Sequence, residues 1–95
     1  MTKDEALFQR AVRDAGCIAC YVSGMGHRGG DIHHLLSGGR RIGEMAVICL
    51  CPSHHRGGLG SGDFISRHPW LARFEKAYGK EAVLLEKTKR LVAKI

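Results

Sequence analysis

No apolar run in this sequence approaches the roughly 20 residues that a membrane-spanning helix requires, which excludes a protein built on such helices. The opening residues Met1-Thr2-Lys3-Asp4-Glu5 carry acids and lack the apolar stretch of a secretory signal, so secretion is not expected. There is no internal repeat and no low-complexity tail, which leaves a single domain over residues 1–95. Acidic residues are few: nine Asp and Glu against fifteen Lys and Arg give a net charge of +6 and a pI near 9.5. That balance favours polyanionic partners without naming them. Core material is also short, because 95 residues at 44% hydrophobic bury too little surface for comfort and call for a staple. Asparagine is absent altogether.

What the chain has instead is four cysteines and six histidines, far more than packing needs. Metal is the first candidate staple and disulfide the second. Thr2-Lys3-Asp4-Glu5 has the Ser/Thr-x-x-Glu form of a helix start, and Ala6, Leu7, Ala11, Val12 and Ala15 recur at helical spacing, which predicts an amphipathic helix over 3–15. Residues 17–63, taken with Gly16, hold twelve of the thirteen glycines, all the cysteines and five of the six histidines, marking a loop-rich site region. Within it Asp31–Leu36 and Met45–Leu50 read as two short strands, paired as an antiparallel hairpin whose connection opens with Ser37-Gly38-Gly39. Pro52 allows a short helix near Ser53, ended by the glycines that follow. C-terminal helices are expected over 67–95, one starting around Pro69 and running to Gly79, the other from Lys80 to Ile95.

Cys17-Ile18-Ala19-Cys20 and Cys51-Pro52-Ser53-His54 have the same two-residue gap, the spacing of zinc knuckles. Two ligands three apart on a tight turn can meet one ion, and two such pairs close a tetrahedron with no open position, so the expected Zn2+ is structural. Cys49 is the odd thiol, either a competing ligand two residues from Cys51 or a core residue. With His54 committed to zinc, His33, His34 and His55 have no structural task. Adjacent strand residues face opposite ways, so His33 and His34 can serve different purposes: one imidazole binding metal, another taking a proton.

The order Cys-x-x-Cys, Asp-x-His-His, Leu-Cys-x-x-His-His resembles the HNH, or ββα-metal, nucleases that carry a zinc-knuckle scaffold. More narrowly, Ile32-His33-His34-Leu35-Leu36-Ser37-Gly38-Gly39-Arg40-Arg41, Leu50–Gly58 and Ser66-Arg67-His68-Pro69 resemble the phage recombination enhancement (Ref) nucleases, with Phe74-Glu75, Tyr78-Gly79 and Glu81 continuing the likeness. The resemblance implies an α+β fold, a small zinc-stabilised ββα-metal (HNH, or His-Me finger) core flanked by N- and C-terminal helices. It implies His34 as general base, His33 and His55 as ligands of a catalytic divalent metal (Mg2+ or Mn2+, or Zn2+), and Cys17, Cys20, Cys51 and His54 as the structural zinc set. It further implies a DNA endonuclease of a bacterial or phage-infected cytoplasm, acting on DNA held by RecA. The chemistry agrees: phosphodiester hydrolysis needs a water deprotonated near neutral pH and a cation at the phosphate. The departure is the asparagine that commonly orients the base. A backbone carbonyl of the second strand, near Ala46, is the expected substitute.

Other residues are open between two roles. His68, before Pro69, is either a neighbour of a helix cap or a further metal ligand. Asp31 either supports the metal or is a solvated carboxylate at a strand start, and His27 is expected to face solvent. Arg28, Arg40, Arg41, Arg56 and Arg67 are candidates for phosphate contacts, where a planar guanidinium grips two oxygens, with solubilising charge as the alternative. Trp70, Phe74 and Tyr78 fall on one helical stripe, expected to be core. The basic residues Lys80, Lys87, Lys89, Arg90 and Lys94 read as a solvated helix face. The competing account of the whole chain is a non-catalytic zinc-stapled module that binds nucleic acid or protein.

Overall fold

The computed structural model describes residues 1–93; Lys94 and Ile95, assigned above to the last helix, lie outside the described residues. Helix α1 (Lys3–Ala15) starts as the sequence dictates: Glu5 N–H donates to Thr2 Oγ1 at 3.1 Å and Thr2 N–H to Glu5 Oε1 at 2.7 Å, a reciprocal cap. Asp4 and Glu5 in its first turn and Arg13 in its last complement the helix dipole. It ends at Gly16, whose φ of 87° is open to glycine and strained for other residues. The first knuckle is more regular than expected, since Cys17 caps a short helix α2 (Ile18–Val22) and its Sγ accepts the Cys20 N–H at 3.4 Å.

The hairpin is present but interrupted. Strand β1 (Asp31–His34) pairs antiparallel with β4 (Val47–Leu50), with His33 opposite Ile48 and His34 opposite Val47. At Leu35 the chain leaves the regular ladder, although Leu35 N–H still donates to Ala46 O at 2.9 Å. Leu36–Ser37 (β2) and Arg40–Arg41 (β3) then form a small hairpin of their own. The turn between them uses Gly38 and Gly39 at φ 59° and 80°, the positive pair that a two-residue hairpin loop needs. The expected strands 31–36 and 45–50 are thus shortened, because this turn draws Leu36 and Ser37 into a second ladder.

Pro52 at the first helical position opens α3 (Pro52–His55). The loop beyond folds back tightly; a Cβ on Gly58 would collide with the carbonyl oxygens of Ser53 and Phe64. Helix α4 (Leu71–Tyr78) begins later than the sequence reading has it, with Trp70 rather than Pro69 at its start. The residues before it are spent on hydrogen bonds to α3: Arg67 N–H to His54 O at 2.8 Å and His68 N–H to His55 O at 3.0 Å. Helix α5 (Glu81–Ala93) closes the fold. The stripe on α4 is also corrected: Phe74 and Tyr78 are buried, whereas Trp70 is 38% exposed with the Arg73 guanidinium 5.1 Å from its ring. Starting the helix at Leu71 leaves Trp70 at its rim.

The β1–β4 pair has a core on each face. Ile48 and Leu50 pack with Ile18, Phe74, Tyr78 and Leu84, while Val47 and Cys49 pack with Val12, Phe8, Ile32 and Val92. Side chains of this size contribute about 1.5–3 kcal/mol each when fully buried, and Phe74, Ile18, Ile48, Leu50 and Leu84 are. Cys49 is therefore a core residue, its thiol pushed up to about 12 by burial. No helix among the described residues is long and apolar enough to cross a membrane.

Candidate functional site

Cys17, Cys20, Cys51 and His54 converge, their donor atoms all within 4.8 Å of one another and every residue buried. Cys20 and Cys51 Sγ are 3.8 Å apart, and His54 Nδ1 lies 3.5, 3.4 and 3.3 Å from the sulfurs of Cys17, Cys20 and Cys51. A tetrahedral zinc with bonds of ~2.3 Å to sulfur and ~2.0 Å to nitrogen would put these edges near ~3.8 and ~3.5 Å. Disulfide sulfurs would sit about 2.05 Å apart, and all four cysteines are free thiols. The donor set suits a structural metal such as zinc. Burial pushes the Cys17 and Cys20 thiols up, so without a cation they remain protonated in a dry pocket.

A residue expected from the sequence only as core packing supports this centre. Tyr78 Oη accepts the His54 Nε2–H at 3.0 Å and the Ile65 N–H at 3.1 Å, and donates to Asp63 O at 3.0 Å. The bond to Nε2 fixes the His54 tautomer, leaving the Nδ1 lone pair toward the three sulfurs, where a metal would sit.

Four of the five remaining histidines meet at a second place. A cavity of about 300 Å3 is lined by His33, His34, His55 and His68 together with Arg41, Arg56 and Arg67. His33 and His55 face each other with ring centroids 5.2 Å apart. His68 reaches the cavity through its backbone bond to His55. A larger, more apolar hollow of about 390 Å3, beside Asp14, Tyr21 and Leu91, contains none of this constellation. Among the described residues Cys17, Cys20, Cys51 and His54 form the one group of three or more such donors gathered closely enough for a metal, so the cavity histidines are neighbours rather than a closed ligand cage.

Each imidazole has a distinct environment. His33 Nε2 donates to Glu81 Oε2 at 2.7 Å, while Glu81 Oε1 accepts from Arg67 at 3.1 Å. Burial would raise the Glu81 carboxyl, but the bonds to His33 and Arg67 outweigh it and hold the pKa down to about 2. His55 is pushed down by burial, then by His33, Arg56 and Arg67, and so favours the neutral form that ligates metal. His34 Nε2 is buried and lies 3.5 Å from Glu44 Oε2, long for a hydrogen bond, with no other partner. The carbonyl near Ala46, expected to orient His34, accepts from Leu35 N–H and makes no hydrogen bond with His34. Arg67 Nε is a second buried donor without a partner, held at the cavity wall.

The structure also sorts the other candidates. Arg40 pairs with Ser37 on the small hairpin and does not line the cavity. Arg28 stacks over Phe64 at 4.8 Å, on the His54 side, and does not line the cavity. His27 is exposed as expected, yet its Nε2 bonds Asp14 O at 3.1 Å, closing the end of α1. Asp31 is exposed at the strand start and outside the cavity wall.

Residues 1–93 match the family described as recombination enhancement, RecA-dependent nuclease. The chain belongs to that family. No curated protein and no solved structure matches it. The family is one of nucleases that depend on RecA, and its match spans both the Cys3His centre and the histidine cavity of this Ref-family chain. Glu44, Glu81 and Tyr78 had no local signal for their roles, lying 10, 48 and 24 positions from His34, His33 and His54 respectively.

Proposed function

We propose that this Ref-family chain is a metal-dependent endonuclease of the HNH type acting on RecA-coated DNA. His34 is the general base, and His33, His55 and His68 hold one divalent cation. The observation that carries the reading is the single cavity in which four histidines meet three arginines beside a closed Cys3His centre. A purely structural module has no use for a second set of imidazoles lining a polar hollow.

The residues divide the work. His33 is anchored through Nε2 to Glu81, which leaves Nδ1 to ligate. His55, neutral through burial, supplies a second nitrogen. A bound cation supplies charge stabilisation at the phosphate and at the departing oxygen. Imidazole donors at this place would suit Mn2+ or Zn2+ better than Mg2+. His34 takes a proton from water as that water attacks phosphorus and the P–O bond to the leaving sugar oxygen breaks. Arg41, Arg56 and Arg67, which line the cavity, bind the phosphate chain. RecA and DNA are the partners that the family description supports.

Manganese binding to zinc-saturated protein, followed by electron paramagnetic resonance, tests the cation site. One exchangeable Mn2+ per chain is expected, lost in His55→Ala while zinc content is kept. Binding unchanged by both His33→Ala and His55→Ala would refute the ligand assignment.

A further inference from the structure

We infer that Glu44, clamped by Gln9 of α1, is the positioning residue that sets the tautomer and orientation of His34, in place of the asparagine this chain lacks. The inference rests on the reading of His34 as general base and adds the group that makes it competent.

His34 sits opposite Val47, on the face of the hairpin that α1 covers. Its Nε2 is buried without a closer partner among the described residues, and the Glu44 carboxylate lies 3.5 Å from it. A lone pair aimed at a carboxylate would be repelled, so Nε2 carries the proton. A neutral imidazole has one N–H, and its lone pair then resides on Nδ1. Nδ1 makes no hydrogen bond among the described residues and is absent from the buried, unpartnered atoms, while His34 lines the cavity. Nδ1 is therefore the nitrogen that meets water. Without a fixed acceptor at Nε2, the ring would divide between two tautomers and two flips, only one of which presents a base to the cavity.

Glu44 is itself held. Gln9 Nε2 donates to the Glu44 main-chain oxygen at 2.8 Å and to Oε2 at 3.1 Å. The Gln9 bond first and His34 second hold the Glu44 carboxyl below its ordinary value, which keeps it an acceptor at neutral pH. Through this clamp α1, which precedes the first knuckle, becomes part of the reaction site and not only a cover for the sheet.

The clamp makes the test clean. Glu44→Ala removes the carboxylate and leaves the Gln9 bond to the main chain, so the loop keeps its anchor. Glu44→Gln retains an acceptor oxygen. Cleavage of RecA-coated circular DNA would be measured for wild type, Glu44→Ala, Glu44→Gln, Gln9→Ala and His34→Ala, with 15N spectra of the His34 ring alongside. For Glu44→Ala the expectation is a ~10–100-fold loss in kcat, the range typical of groups that orient a histidine, with KM within about twofold. Glu44→Gln should recover most of the activity and Gln9→Ala should fall between. The wild-type ring should be the Nε2–H tautomer and Glu44→Ala a mixture. Glu44→Ala cutting within about twofold of wild type, where His34→Ala is inactive, would overturn the positioning role. So would an Nδ1–H tautomer in wild type. If His34→Ala cuts normally, the base reading itself fails, whereas the ring spectra judge the Glu44 contact independently of activity.

Discussion

Tyr78→Phe separates the zinc centre from its outer support. The substitution keeps the ring, which packs 4.8 Å from His54 and 5.0 Å from Phe74, and deletes only the hydroxyl. Three hydrogen bonds go with it, to His54 Nε2, Ile65 N–H and Asp63 O. His54 is fully buried, so its orphaned N–H costs about 1–3 kcal/mol, and the half-buried Ile65 N–H about 1 kcal/mol more. The Asp63 carbonyl, on an exposed residue, regains water at little cost. The sum is about 2–4 kcal/mol, most of it in zinc affinity, because metal binding and folding are one equilibrium in a domain this small. A loss of ~10–100-fold in affinity, or about 1.4–2.7 kcal/mol, is the matching expectation for a group that orients a metal-binding histidine. Competition with a chromophoric chelator reads the affinity, and urea unfolding in excess zinc reads the remainder. Affinity within about twofold of wild type and stability within about 0.5 kcal/mol would refute the argument.

Stripping the zinc with a strong chelator should unfold the domain, seen as loss of far-ultraviolet circular dichroism and its return on adding zinc; an apo protein with the same spectrum would mean that the core suffices alone. Glu81, with a pKa held to about 2 against an ordinary 4.5, contributes stability above pH ~4.5 that is lost as the pH falls toward ~2. The difference in urea midpoint between wild type and Glu81→Gln should therefore be steady near neutrality and vanish across that acid window, the zinc ligands titrating alike in both. Arg56→Ala, at an exposed position of the cavity wall, should weaken DNA binding and reduce the slope of log affinity against log salt by about 1, with stability changed by less than about 0.5 kcal/mol.

The parts legible in the sequence were those encoded locally. The reciprocal cap at Thr2 and Glu5, the paired knuckles, and the alternation that sets His33 and His34 on opposite faces each lie within a few residues. The Cys3His set was readable because ligand spacing is a geometric requirement, and Cys49 fell to the core because it is on the α1 face of β4 while Cys51 has left the strand. What spacing could not reveal was the set of partners drawn from distant elements. Glu81 meets His33 from α5, and Gln9 meets Glu44 from α1, through packing that no local pattern records. The missing asparagine points to a carbonyl near Ala46, but Ala46 O accepts from Leu35 N–H and His34 makes no hydrogen bond to it. Trp70 was misplaced for a related reason: the backbone of Arg67 and His68 is committed to α3, which delays the start of α4.

The most direct test of the account is cleavage of circular DNA, naked and RecA-coated, by wild type and His34→Ala side by side with Mg2+ or Mn2+ and a chelator control. Wild type should nick the RecA-coated substrate only when the cation is present, and His34→Ala should lose ~10²–10⁴-fold in rate, the contribution of a positioned base, while its zinc content is unchanged. Cutting by His34→Ala at the wild-type rate, or no cutting of either substrate by wild type, would contradict it.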